Sequence, residues 1–416
     1  MAERSSSGRI LAMILVGLGA FLLAIAILIP TYTVGKLKKT PLDLEVTTVA
    51  EGTGDILNSR ALLAGNAQVD TDVPIVAQRF VTVEDPADGE IMTLQAGQTV
   101  RRLDMQGDTG LVSATVDRLT IDRVSSMPVS QEEFPDRVST IQTSADSPGE
   151  EIDNREGLQY KFPFDVKQES YPYYDINARE TYPIDFVGEE EINGMPVYHF
   201  KHEIGPVDMS EADPSAPTYK LELPASTWGV GEGDEPVEMT RWYNNVRDLW
   251  VDPITGVVVK GQEQQDQYYA REANTPEVTV LDVTLPFDEP TIEYQLEQAR
   301  DGQDQLSLFG RTLPIIAGIL GVILLIIGFV LGLRGGGNGG RRAAAAGSPA
   351  PAGPASAAAA GAGGAHAADT QRDFTDDRTE VIPRTDLPQE PEQRDWTTDP
   401  TQEIPRTDLN KPPTQD

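Results

Sequence analysis

The chain has 416 residues, 66 acidic against 33 basic side chains, a net charge of −33 and no cysteine. The missing thiols exclude disulfides, thiolate zinc centres and a cysteine nucleophile, and the acidity disfavours nucleic acid or an anionic lipid surface as partner. The charge is concentrated: residues 36–333 hold 52 acidic and 22 basic residues, a net −30, while the remainder from Arg334 holds 13 and 9, a net −4. An acidic, self-repelling and solvated surface on the central region is the simplest reading of that concentration.

Residues 1–9 form a short terminus ahead of an apolar run over 10–29, which stops at Pro30. That run is longer than the roughly 7–15 apolar residues of a signal peptide, and no small-x-small cleavage site follows it. A retained membrane helix is expected. Next comes a period-two alternation, with Leu42, Leu44 and Val46 on one face and Asp43 and Glu45 on the other, which marks a half-buried strand. Gly52-Thr53-Gly54 is expected to break it. The same grammar recurs at 74–83, 90–94, 110–122, 182–187, 196–204, 219–223, 239–251 and 277–285. Turn clusters separate these runs, among them Asp85 to Gly89 and Ile192-Asn193-Gly194, whose Asn-Gly pair suits a tight hairpin. Asp252-Pro253-Ile254-Thr255-Gly256 is a turn in its own right, since Pro fixes φ and Gly takes the left-handed position. The expectation is a mostly β fold: a large antiparallel β domain over 36–288, in one lobe or two, held between two transmembrane helices.

From Pro290 the period changes, with Ile292, Leu296 and Ala299 at helical spacing, so a helical stalk is expected over 289–310. Residues 313–333, LPIIAGILGVILLIIGFVLGL, carry no charge, and at 1.5 Å per residue cover about 30 Å, the hydrocarbon thickness of a bilayer. Five Lys or Arg flank the terminal side of the two spans (Arg4, Arg9, Arg334, Arg341, Arg342) and four flank the loop side (Lys36, Lys38, Lys39, Arg311). The intervening loop is far too long for a strict charge rule. The balance favours a two-pass plasma-membrane protein with both termini cytoplasmic and the central domain extracytoplasmic.

Residues 334–416 read as a disordered cytoplasmic tail, Ala/Gly/Pro-rich over 343–368 and then duplicated. The stretch 371–387 recurs at 393–409 with a fixed offset of 22 positions. In each copy an isoleucine follows a threonine by three residues: Thr379 with Ile382, and Thr401 with Ile404. That spacing looks like the phosphothreonine pattern read by forkhead-associated domains, and it implies a cytoplasmic serine/threonine kinase as a second partner. Phosphate on Thr379 or Thr401 would add roughly −1.5 to −2 charges for a partner's arginines to pair.

Several of these stretches together resemble a known family. They are the two-span frame, Gly52-Thr53-Gly54, residues 116–123, Lys161-Phe162-Pro163-Phe164, Tyr173-Tyr174-Asp175, residues 186–194, Val197-Tyr198-His199-Phe200 and the Trp250 hairpin. The combination is similar to an actinobacterial two-transmembrane-helix envelope family of unknown function, some members of which are labelled PorA-type porins. The resemblance covers roughly residues 8–335. It implies no catalytic residue, and His199 stands where relatives carry an arginine.

Candidate sites are few. His199 and His202 lie three apart, so on a strand they face opposite sides and cannot share a metal; no metal or cofactor site is assigned. Acidic clusters at Asp85, Asp88 and Glu90, at 189–191, and at Glu232, Asp234 and Glu235 supply carboxylates without a legible nucleophile–base pair, and no enzyme activity is assigned. The densest aromatic stretch, Tyr160, Phe162, Phe164, Tyr171, Tyr173 and Tyr174, is a possible ligand groove, with core packing as the competing role. Three functions remain open. One is a non-enzymatic envelope protein whose exported domain binds a lipid, glycolipid or cell-wall component. The others are a porin and a carboxylate-based wall hydrolase.

Overall fold

The computed structural model describes residues 4–145, 148–153 and 155–335. Its thirteen strands are β1 (Glu45–Leu57), β2 (Val69–Glu84), β3 (Ile91–Arg102), β4 (Leu111–Asp122), β5 (Ser139–Gln142), β6 (Glu150–Glu151), β7 (Tyr171–Asp175), β8 (Glu180–Ile192), β9 (Met195–Asp208), β10 (Lys220–Pro224), β11 (Pro236–Val251), β12 (Val258–Ala270) and β13 (Val278–Pro286). All join one sheet in the order β6-β5-β4-β3-β2-β1-β13-β12-β11-β9-β8-β7, with β10 beside β11. Every strand pairing is antiparallel, so the question of one lobe or two resolves to a single sheet.

The order follows from simple meanders. From β1 to β6 each strand pairs with the next, stepping outward; from β7 the chain steps back until β13 lies against β1. The first and last strands are therefore neighbours at the middle of the sheet. Since β1 follows one membrane helix and β13 leads into the other, both helices leave from one place. Local turn chemistry sets the register. Asn193 (φ 48°) and Gly194 (φ 80°) make the two-residue hairpin between β8 and β9. Between β11 and β12, the Asp252 carboxylate accepts the Thr255 N–H at 2.9 Å and Gly256 takes φ 74°.

One expectation is corrected here. Gly52-Thr53-Gly54 does not break the first strand: β1 runs through it, pairing with Ile75, Pro74 and Val73 of β2. The glycines are required by closeness rather than by a turn. A Cβ on Gly52 would sit 2.1 Å from the Thr284 carbonyl oxygen, and one on Gly54 2.3 Å from that of Asp282. The first strand also starts at Glu45, three residues later than the alternation suggests.

The sheet curls. Near one end of the strand order, β4 carries buried Asp117; at the other end stands β7. The segment 155–164 fastens the two: Arg155 forms a bidentate pair with Asp117 at 2.6 and 2.8 Å, and Leu158 exchanges backbone hydrogen bonds with Pro172 and Tyr174 at 2.8 and 2.9 Å. Phe162, Tyr171, Phe200, Ile184 and Val251 pack beneath this seam.

The helix Glu289–Ser307 starts at an Asp288 cap, whose carboxylate accepts the Thr291 N–H at 2.9 Å. It buries Ile292, Leu296 and Ala299 against Val197, Trp250 and Val259 of the sheet. A π turn, Leu308–Thr312, then carries it into the second membrane helix, Leu313–Gly335, so that 46 residues from Glu289 to Arg334 form one helical rod. The first membrane helix, Arg4–Leu28, likewise continues through a π turn, Ile29–Thr33, at Pro30, where the wider turn accommodates the missing N–H. The two apolar helices pack directly. A Cβ on Gly19 would lie 2.7 Å from the Gly321 carbonyl oxygen, the close approach small residues permit in membranes. The expected tail, 334–416 with Thr379 and Thr401, lies almost wholly outside the described residues.

Candidate functional site

The concave face of the curled sheet encloses a cavity of about 600 Å³, within the range of small-molecule sites. Its lining shows the strand period. Val46, Thr48 and Ala50 of β1 alternate inward, as do Ala77, Arg79 and Val81 of β2, and Gly261, Glu263 and Gln265 of β12. Ala50 and Ala77 face each other across the β1–β2 pair, and their small side chains leave room that larger residues would fill. Part of the remaining wall comes from the connections to the membrane. Lys36, Leu37, Lys39, Thr40 and Pro41 follow the first membrane helix, and Gln298, Asp301, Gln305 and Leu306 belong to the rod that becomes the second. The site thus lies between the sheet and the roots of both membrane helices.

One wall is polar and tightly ordered. Arg247 donates to Glu263 at 3.0 Å, to Asp175 at 3.2 Å and to His202 Nδ1 at 3.1 Å, and lies 5.2 Å from the centre of the Tyr173 ring. Because the guanidinium donates to Nδ1, the neutral imidazole carries its proton on Nε2, which has no partner among the described residues. Burial pushes His202 down to about 3; the Arg247 charge adds to the effect and Glu263 opposes it. Burial alone would raise the Glu263 carboxyl, but the Arg247 and Arg79 charges outweigh it and hold the group at about 2. Arg79 also donates twice to the Gln98 side-chain oxygen, at 2.9 and 3.1 Å.

Lys161 occupies a different part of the lining. Its ammonium donates to the Thr255 and Phe162 carbonyl oxygens at 2.7 and 2.9 Å and sits 4.0 Å from the Phe164 ring centre. Burial pushes it down to about 7, against a weaker upward pull from Asp252.

Of the six aromatics singled out in the sequence, Tyr160, Phe164 and Tyr173 line the cavity. Phe162 and Tyr171 are spent in the core, stacked edge-on at 5.5 Å. Tyr174 is buried under the Arg155 guanidinium, 4.4 Å from its ring centre. The groove reading therefore splits the set, because Tyr171 to Asp175 is itself a strand, β7, whose side chains serve the seam. The two histidines do face opposite sides of β9. His202 is buried, whereas His199 stacks on Trp250 at 4.6 Å between Asp248 (2.8 Å) and Glu190 (3.1 Å).

The acidic clusters do not converge on the cavity. Asp88 spends its carboxylate on the Glu90 and Ile91 N–H groups, Glu190 accepts from the Trp250 indole, and Glu232, Asp234 and Glu235 are exposed. Among the described residues no group of three or more His, Asp or Glu could hold a metal ion. Arg79 and Glu263 carry no local signal in the sequence, and Lys161 only its place in the aromatic stretch; the fold alone brings them together.

Residues 11–330 match the family model described as Porin PorA. A Porin PorA of Corynebacterium resistens is 33% identical over 405 residues, covering 78% of this chain and 97% of that protein. A Porin PorA of Corynebacterium amycolatum is 32% identical over 383 residues, covering 77% and 98%.

Proposed function

The chain belongs to the Porin PorA family, and from that premise we propose that it is a membrane-anchored envelope protein whose curled sheet holds an amphiphile, lipid or glycolipid, without transforming it. The observation that carries the reading is the 600 Å³ cavity, walled partly by the segments rooted in the two membrane helices. An amphiphile leaving a bilayer would meet it first. Val46, Val81, Leu94 and Leu285 offer apolar surface to a chain, while Arg79, Glu263 and Gln265 offer polar partners to a head group. In this reading both termini are cytoplasmic and the sheet extracytoplasmic, so that the tail is free to dock a phosphothreonine reader.

Two experiments test it. Solvent extraction of the purified full-length protein, followed by mass spectrometry, should yield an amphiphile near one per chain. Ala77→Phe, which places a ring in the cavity, should reduce that yield at least several-fold with the fold intact by circular dichroism. Equal recovery from both proteins would remove the cavity from the mechanism. For topology, Leu63 is 89% exposed on the sheet domain, and with no native cysteine a Leu63→Cys variant is a clean reporter. An impermeant maleimide added to intact cells should label it; protection until the cells are lysed would reverse the orientation.

The names of the relatives favour a second reading, a porin. The two membrane helices pack backbone to backbone at Gly19 and Gly321, leaving no lumen between them. A pore would therefore need several copies. Unitary conductance steps from purified protein in planar bilayers would support this second reading, with the cavity then serving another purpose.

A further inference from the structure

We propose that the amphiphile held in the cavity is anionic: a single acyl chain with a carboxylate or phosphate head group whose charge is met by Lys161. This rests on the reading of the cavity as an amphiphile site and specifies the chemistry of its occupant.

The argument is one of charge. The chain as a whole carries −33, with acidic residues outnumbering basic two to one. Around the cavity the balance inverts: Lys36, Lys39, Arg79, Arg123, Lys161 and Arg247 line it, against Glu263 and Asp301. Two of the six cations are already matched, Arg247 by Glu263 and Asp175, and Arg79 by Glu263 at 3.9 Å. The other four find no ion pair among the described residues. Lys39 donates to the Gly89 carbonyl and Arg123 to those of Thr40 and Asp88 at 2.8 and 2.7 Å. Lys36 lies over the Tyr32 ring at 5.1 Å. The Ile91 and Glu90 N–H groups draw the Asp88 carboxyl down, with a smaller contribution from the nearby Arg123 and Lys39 charges, so part of the charge of those two cations is answered on the exposed side.

Lys161 is the exception. Its partners are two carbonyl oxygens and an aromatic face, all uncharged, in surroundings that penalise a lone ammonium. Asp252 acts on Lys161 only weakly, its carboxylate being taken up by the Thr255 N–H and the Gln303 amide, so the ammonium has no directly paired counter-charge among the described residues. An anionic head group would supply it, and the hydrogen bond from the ammonium to that anion would be charge-assisted. A neutral head group of equal size would leave the lysine as it is.

The test pairs two amphiphiles with the same 18-carbon acyl chain and different charge. Full-length protein in a neutral detergent is equilibrated with equimolar oleate and monoolein, and bound adducts are counted by native mass spectrometry. Oleate should exceed monoolein by about tenfold, the effect of one charged hydrogen bond. Lys161→Met should bring the ratio close to one, and Lys161→Arg should keep oleate preferred. Acetate in excess should not displace oleate; if it does, the site takes small anions and the proposal falls. Equal binding of oleate and monoolein, or a ratio unchanged in Lys161→Met, overturns the charge assignment while leaving the amphiphile site standing. If neither adduct forms, and oleate and monoolein also fail to bind in the Lys161→Arg protein, both readings fall together.

Discussion

Arg155→Met should destabilise the full-length protein by about 3–5 kcal/mol, the usual consequence of removing one partner of a buried ion pair. Arg155 and Asp117 are both almost wholly buried, and their side chains are 1% exposed. The same carboxylate also accepts the Tyr160 hydroxyl, and Arg155 donates to Gln159. Without the guanidinium, Asp117 would be a buried anion with one neutral donor. Because the pair fastens the segment 155–164 to β4, the effect should be structural as well as energetic. Tyr160 and Lys161 belong to that segment and to the cavity lining, so amphiphile retention should fall with stability. The control is Arg155→Met combined with Asp117→Leu, which deletes both charges. It should regain much of the loss in urea unfolding, since it is the uncompensated charge that costs most. If the double variant is no more stable than Arg155→Met, shape rather than charge holds the seam.

Acid should unfold the sheet domain earlier than its surface carboxylates alone would dictate, and His202 should set the onset. Its folded value, about 3, lies below the ordinary 6.5. The unfolded chain therefore takes up a proton as pH falls through 6.5, and the folded chain does not until about 3. Stability is complete above 6.5 and is lost steadily below it, by about 3–5 kcal/mol across the window. Glu263 acts in the same direction lower down. Held near 2 against an ordinary 4.5, it contributes stability that disappears as pH falls from 4.5 towards 2. Urea midpoints between pH 7 and pH 4.5 should fall for the native protein and stay nearly flat for His202→Asn. Parallel slopes in the two proteins would place the acid sensitivity elsewhere.

Much of this architecture is legible from residue order because it rests on local physics. Alternation finds most of the long strands but not β12, Asn193-Gly194 and the Asp252 to Gly256 turn fix two hairpins, and charge-free apolar length finds the membrane helices. Legibility fails where a residue's role depends on a distant backbone. Gly52 and Gly54 look like a turn until β13 is laid beside them. Tyr171 and Tyr174 look like binding aromatics until β7 is seen to close the sheet against residues 155–164, a segment with no period of its own. β5 and β6, four and two residues long, are too short to alternate audibly. The site is the least legible part. Arg79, Lys161, Arg247 and Glu263 are far apart in the chain, and apart from the aromatics around Lys161 their neighbourhoods are ordinary; their convergence on one concave face is what distinguishes them.

The unbroken rod from Glu289 to Arg334 has a mechanical consequence. Gln295, Gln298, Asp301, Gly302 and Gln305 line the cavity on the same rigid element that crosses the bilayer. From Leu313 back to Gln295 the rod is about 27 Å long, so a 10° change of tilt at the membrane would sweep the cavity wall by about 5 Å. The wall is thus one arm of a lever whose other arm, of about equal length, is embedded in lipid. Bilayer thickness, or a neighbour pressing on the membrane helices, would set the aperture of a site it never touches.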